Sequence, residues 1–272
     1  MTSIPPRLES NRGGGCVASY EVTADPLGGH TLRVVGPIGA VAQVRLADPR
    51  YLTRSGHLQE LIGVEAAPLP TTIELLEALR GVLTLPCPSA IDFAIALDWT
   101  KIPQEGMDPR SWPNSDVYDL VYRGKYRYRS PAHAAQQAEA GRALARRLTD
   151  FMQLHPLLRR ADIIVAAPGH DAQVASFGAR LAATVARDRS LRSVACRSVT
   201  QFRTPAKDLD PSQRAGMIAN QFVCDDDLTG LDAVLVDDVY HSGTTAAEAA
   251  RAIRVAGVAT VAVLAPVRTM RS

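Results

Sequence analysis

No C-x-x-C pair occurs in this chain, and its four cysteines, Cys16, Cys87, Cys196 and Cys224, stand far apart. That spacing excludes a zinc cluster built from neighbouring ligands, and four cysteines in 272 residues are too sparse for a disulfide scaffold. Reduced, mostly buried thiols are expected. The chain also lacks any run of about eighteen apolar residues, and its opening Met1-Thr2-Ser3-Ile4-Pro5-Pro6 is not followed by an apolar stretch of signal-peptide kind. No membrane partner and a cytoplasmic location are the expectations. Neither sign of charge dominates: 30 basic against 28 acidic residues leave a formal +2. Nothing global therefore calls for nucleic acid or an anionic surface.

What is present is an ordinary globular composition, 46% hydrophobic and 21% charged, in a chain long enough for one large domain or two modest ones. Two textures divide it. Residues 1–115 are rich in Gly and Pro, with short apolar runs at Leu32-Arg33-Val34-Val35 and from Ile91 to Leu97, and a helix-like segment from Thr71 to Leu79. This part reads as a mixed α+β N-terminal region. Residues 116–272 read as a second, regular domain. Ser130-Pro131 opens an amphipathic helix that runs to about Leu154. Ala161-Asp162-Ile163-Ile164-Val165-Ala166-Ala167 is a short apolar run stopped by Pro168-Gly169, which suits a buried strand. A helix over about 171–188, a strand from Arg192 to Thr200, a polar stretch at 203–213 and a helical piece ending near Phe222 follow. Ala233 to Val236 is a strand, Thr245 to Val255 a helix closed by Gly257, and Ala259 to Ala265 a last strand ended by Pro266. Alternation of this kind predicts an α/β fold with a largely parallel sheet flanked by helices.

One loop carries the chemistry. After the strand Ala233–Val236 come Asp237 and Asp238, then Val239-Tyr240-His241, and then Ser242-Gly243-Thr244-Thr245 at the start of a helix. Free N–H groups, hydroxyls and the positive end of the helix dipole converge on such a turn and suit an anion. Gly243 lets the backbone approach that anion closely. Two carboxylates beside a phosphate would repel it. They make sense if they face a neutral diol a few ångströms away, directly or through Mg²⁺. A ribose 5-phosphate meets both demands. The plainer alternative is a solvated acidic strand end followed by a capped helix.

The run Val234 to Thr245 resembles the phosphoribosyl-pyrophosphate-binding signature of type I phosphoribosyltransferases. The resemblance implies a parallel α/β core, a Mg²⁺–pyrophosphate ligand and a flexible lid. It implies that Asp237 and Asp238 hold the ribose hydroxyls and the metal, while Tyr240, His241, Ser242, Gly243, Thr244 and Thr245 wrap the 5′-phosphate. His241 stands where the family usually has Thr or Ser. Pro168, Gly169 and His170 match the turn that holds pyrophosphate on backbone amides. The segment from Arg203 to Arg214, continuing to Asn220 and Phe222, is similar to the competence-protein ComF branch, as is Val121-Tyr122-Arg123-Gly124-Lys125-Tyr126, where a Lys-Tyr pair leads into the long helix. That branch commonly carries an N-terminal four-cysteine zinc module, which this sequence lacks.

Arg203, Lys207 and Arg214 bring three cations to a polar loop that could close on a leaving pyrophosphate and stabilise its growing charge. A solvated basic loop is the alternative. Tyr118, Tyr122, Arg123, Lys125, Tyr126, Arg127, Tyr128 and Arg129 interleave rings and cations, a pattern that serves single-stranded nucleic acid or, more simply, inward tyrosines with cations reaching out. His30, His57, His133 and His155 have no metal-ligand spacing. Two functions follow: a Mg²⁺-dependent transferase moving phosphoribosyl from 5-phosphoribosyl-1-pyrophosphate to an unidentified acceptor, or a non-catalytic binder of that donor or a nucleotide within DNA uptake or processing. Residues 1–115 are the candidate hood over the acceptor. The sequence is silent on oligomeric state, and a homo-oligomer is compatible with it.

Overall fold

The computed structural model describes residues 14–25, 29–54, 57–63, 69–127, 131–169, 175–200, 216 and 219–270. Contacts divide the chain into two compact units, Met1–Pro86 with Phe151–Arg159, and Cys87–Asp150 with Arg160–Ser272. Residues 87–115, read from the sequence with the N-terminal region, lie in the second unit. The reason is the Ile91–Leu97 run, which is apolar on both faces and enters a parallel sheet.

In the first unit, β1 (Ser19–Ala24), β2 (His30–Val35), β3 (Tyr51–Arg54) and β4 (His57–Gly63) form an antiparallel sheet in the order β1-β2-β4-β3. Helix α1 (Ile38–Ala47) packs on β3 and β4, and α2 (Leu69–Leu79) packs on α1. A short strand β5 (Leu83–Leu85) ends the unit's continuous part. Two of the four histidines without metal spacing are core residues here. His30 Nε2 lies 2.7 Å from Tyr51 Oη. His155 is fully buried, with Nε2 3.0 Å from Gln43 Oε1 and Nδ1 accepting from the Leu158 N–H at 3.3 Å. Because Nδ1 accepts, the hydrogen-bond pattern assigns the ring proton to Nε2.

Burial, helped by the nearby Arg159 charge, pushes the His155 pKa down to about 3. The folded ring stays neutral, whereas the unfolded one takes up a proton near its ordinary pKa of about 6.5. The stability this neutral ring contributes is therefore complete above about pH 6.5 and is lost as pH falls toward the folded value, by up to about 1.4 kcal/mol per unit. His155→Gln is expected to flatten that acid slope in melting curves. An unchanged slope would assign the acid sensitivity to other groups.

The second unit is a three-layer α/β structure. Its strands are β6 (Phe93–Trp99), β7 (Ile163–Ala166), β8 (Arg192–Ala195), β11 (Asp232–Val236) and β12 (Thr260–Arg268). They lie in the order β6-β12-β11-β7-β8, and every pairing among them is parallel. A separate antiparallel ribbon joins β9 (Arg197–Ser198) to β10 (Phe222–Val223). Helix α3 (Asp116–Tyr122) packs on β6 and β12. Helix α5 (Phe177–Asp188), capped by Ser176 Oγ on the Ala179 N–H at 3.0 Å, packs on β7, β8 and β11. Helix α6 (Thr244–Val255) follows β11 and contacts β12. Helix α4 (Ala134–Leu154) is preceded by a single 3₁₀ turn at Pro131–His133.

Several boundaries differ from the sequence reading, among them the start of α5, which falls at Phe177 and not near residue 171. The strand expected from Arg192 to Thr200 breaks at Cys196, where the chain leaves β7 for the β9–β10 ribbon. Phe222 is in a strand, not at a helix end, and Asn220 before it has φ +59. Pro266 does not end β12, which continues to Arg268. It is tolerated because β11 stops at Val236, opposite Leu264, and the β6 register passes from Ala265 to Val267.

Candidate functional site

The strand order creates the site. From β7 the chain crosses by α5 to β8 on one side, and from β11 it crosses by α6 to β12 on the other. Right-handed crossovers then put α5 and α6 on opposite faces. The loops leaving β7 and β11 diverge at the carboxyl edge of two neighbouring strands, which is where open α/β sheets bind ligands. The Ala167 N–H donates to Val236 O at 3.1 Å, so the turn Ala167-Pro168-Gly169 starts directly beside Asp237. His170 lies outside the described residues.

Asp237 leaves the sheet through its own N–H, which donates to Leu264 O at 3.2 Å. Its Oδ1 accepts from the Asp238 N–H at 2.9 Å. Some of its surface remains open to solvent, but protein surrounds it closely. Burial first, and then the neighbouring Asp238 carboxylate, push its pKa up to about 7, with Lys125 pulling the other way. Lys125 Nζ lies 2.8 Å from Asp238 Oδ1, and 30% of the lysine side chain is exposed against 13% of the aspartate's. Burial works against the ammonium, but Asp238 outweighs it and holds the Lys125 pKa above its ordinary value. The acid pair therefore shares one cation.

Past the acids, the loop is stitched to the long strand β12. The Tyr240 N–H donates to Val267 O at 2.9 Å, and the Thr269 N–H donates to Tyr240 O at 3.1 Å. The Tyr240 ring is fully buried, with the Arg268 guanidinium 5.2 Å from its centroid. Arg268 Nη1 also donates to His241 O. Tyr240 thus supports the turn from beneath, and the exposed side chain beside it is His241, whose Nδ1 lies 3.1 Å from Thr269 Oγ1. Gly243 begins α6 in the left-handed region, φ +73. Ser242 Oγ and Thr244 Oγ1 are 2.8 Å apart, and the Ala247 N–H donates to Gly243 O at 2.7 Å. The N–H groups of Thr244, Thr245 and Ala246 precede the first helical bond and lie, with the two hydroxyls, at a helix start of the kind that suits an anion.

The three cations of the polar loop, Arg203, Lys207 and Arg214, lie outside the described residues, as do Tyr128 and Arg129. At the end of that loop the Asn220 N–H donates to Glu248 Oε1 on α6 at 2.5 Å, and Phe222 is buried.

Lys125 is the residue whose role the sequence did not show. It belongs to a π-helical turn, Arg123–Arg127, that follows α3 directly. The widened turn directs Lys125 at an acid 113 positions away, while its ammonium also lies 5.3 Å from the Tyr126 ring centroid. Gly124 makes room for this: a Cβ there would sit 2.7 Å from Phe177 Cζ, and Phe177 begins α5. A π turn of this kind occurs often at functional sites, but only the structure shows it. Lys125→Met removes the charge that opposes the upward shift of Asp237. The midpoint of the Asp237 carboxyl, followed by carbon-13 chemical shift, is expected to rise above that of the unaltered protein. An unmoved midpoint would separate Lys125 electrostatically from the acids.

Two adjacent carboxylates suit Mg²⁺, which takes one or two acid ligands and completes its octahedron with water and phosphate oxygens. Among the described residues there is no group of three or more His, Cys, Asp or Glu able to form a protein cage. Asp237 and Asp238 are the two acids at this strand end that could hold such a cation. Among the same residues no helix is long and apolar enough to cross a membrane.

No protein-family model matches this chain, and no curated protein sequence matches it. Among solved structures, a purine phosphoribosyltransferase from Pyrococcus horikoshii Ot3 matches at 13% identity over 50% of this chain and 83% of its own, with a TM-score of 0.30.

Proposed function

We propose that the protein binds 5-phosphoribosyl-1-pyrophosphate with Mg²⁺ and transfers the phosphoribosyl group to a nucleophilic acceptor, an amine or a base. One observation carries this reading. The single loop after β11 holds two carboxylates against a shared lysine and, a few residues later, opens a helix at a left-handed glycine. The acids suit the ribose diol and the helix start suits the 5′-phosphate. The adjacent Ala167–Gly169 turn offers backbone to the pyrophosphate. Bound Mg²⁺ would neutralise charge on the pyrophosphate oxygens. In the reaction the acceptor's lone pair forms the new bond to C1 as the C1–oxygen bond breaks, and pyrophosphate leaves with that electron pair. Asp237 and Asp238 fix the sugar, and the N–H groups at the start of α6 fix its phosphate, so C1 is held in place while charge develops.

Calorimetry of the full chain with 5-phosphoribosyl-1-pyrophosphate tests this. Binding is expected only with Mg²⁺ present, and it should strengthen as pH rises through about 7, because the ionised Asp237 accepts stronger hydrogen bonds and can hold a cation. Absence of donor binding with Mg²⁺ would sink the proposal.

The ion pair between Lys125 and Asp238 favours a second reading, a binder that does not turn over, because a resident cation already satisfies half of the acid pair. Donor binding without pyrophosphate release across amine and base acceptors would select it. Its DNA-handling version requires salt-sensitive single-strand affinity that is lost on replacing Tyr126 and Arg127.

A further inference from the structure

Cys196 and Cys224 flank the last ladder pair at one end of the β9–β10 ribbon. The register sets Phe222 opposite Ser198 and Val223 opposite Arg197, and the same register continued one step past the end of the ladder would bring Cys224 opposite Cys196. At the other end the Val199 N–H donates to Gln221 O at 2.9 Å, which marks Val199 and Gln221 as a hydrogen-bonded pair. Pair types alternate along an antiparallel ladder. Arg197 and Val223 are then hydrogen-bonded again, and Cys196 and Cys224 occupy a non-hydrogen-bonded place. Cα atoms at such places lie about 4.5 Å apart, within the range of about 4.4–6.8 Å that a disulfide spans. Cys224 is also among the neighbours that raise the Cys196 pKa. Arg197 continues the pairing outward through an ion pair with Asp225 at 3.0 Å.

We propose that Cys196 and Cys224 form a reversible intramolecular disulfide on reaction with a small-molecule disulfide such as oxidised glutathione. Cys224 is part-exposed and Cys196 is buried, so Cys224 leads. Its thiolate attacks one sulfur of the reagent, the reagent's S–S bond breaks, and one thiol leaves. The Cys196 sulfur then gives up its proton, attacks Cys224 in the mixed disulfide and releases the second thiol. The two cysteines lose two electrons and two protons in total, and the reagent gains both as two thiols. Burial holds Cys196 in the thiol form, with its pKa pushed up to about 12, so the second step is the slow one. Cys196 Sγ lies 4.0 Å from Ala249 O, an acceptor toward which the thiol already points. The proposal stands on the ribbon geometry and is independent of the phosphoribosyl reading.

The test treats the full chain with oxidised glutathione, alkylates the remaining thiols after denaturation, digests and maps the peptides by mass. A peptide pair joined through Cys196 and Cys224 and lighter by two hydrogens is expected, with Cys16 and Cys87 alkylated and the link opened by reductant. Cys196→Ser should instead trap glutathione on Cys224. Three results would overturn the proposal: a lasting glutathione adduct on Cys224 in the unaltered chain, a link involving Cys16 or Cys87, or four alkylated cysteines. The decisive reading comes from the unaltered protein, so it does not depend on any variant folding.

Discussion

Gly243→Ala is expected to abolish donor capture and to lower stability by about 2–4 kcal/mol, combining a left-handed residue other than glycine with overpacking. A Cβ at this position would lie 2.2 Å from Tyr240 Oη and 2.7 Å from Tyr240 Cζ, on a backbone with φ +73. Tyr240 cannot withdraw cheaply. Its N–H and its carbonyl are both hydrogen-bonded to the chain at and beyond the end of β12, and its ring is buried beside Arg268. The added methyl must therefore displace residues 242–244, the corner proposed to hold the phosphate. Thermal unfolding and calorimetry together check both effects. A variant that melts and binds like the unaltered protein would contradict the turn described above.

Asp237→Asn and Asp238→Asn should each weaken donor binding by about tenfold to a hundredfold, the scale of one charge-assisted hydrogen bond of about 1.5–3 kcal/mol. Their effects on stability should have opposite signs. Asp238→Asn leaves the Lys125 ammonium without its counter-charge and destabilises the fold. Asp237 has a folded pKa raised above the unfolded one, so its ionisation opposes folding. The stability it contributes while protonated is lost as pH rises through about 7. Asp237→Asn should therefore melt higher than the unaltered protein above that pH. Parallel losses in binding with opposite shifts in melting would identify the pair as a ligand site. Parallel losses in both would make it a structural pair only.

The second unit was legible because its central strands β7 and β11 are apolar on both faces and its helices carry clear stripes. Ile163–Ala166, Ala233–Val236 and the helix after Gly243 fall where local pattern puts them. Strand order was not legible, since pairing β11 between β7 and β12 depends on contacts between distant segments. The crevice follows from that order, so the sequence named the loop but not its setting. Lys125 was hidden for the same reason: its partner Asp238 is remote in the chain, and its neighbours read as an exposed basic face. Pro266 misled because its missing N–H matters only where a neighbouring strand requires it. The first unit was harder because β1 alternates only between exposed and half-buried positions.

The length of β12 has a thermodynamic consequence. The strand runs four residues beyond Leu264, which lies opposite the last residue of β11; the loop is bonded to Leu264 at Asp237 and to the overhang at Tyr240. Confining one residue's backbone costs about 1–2 kcal/mol of conformational entropy. Here that cost is met when the sheet folds and not when a ligand arrives. A small, highly charged ligand can then spend its contact energy on affinity, and the acids and the helix start keep their spacing between one ligand and the next.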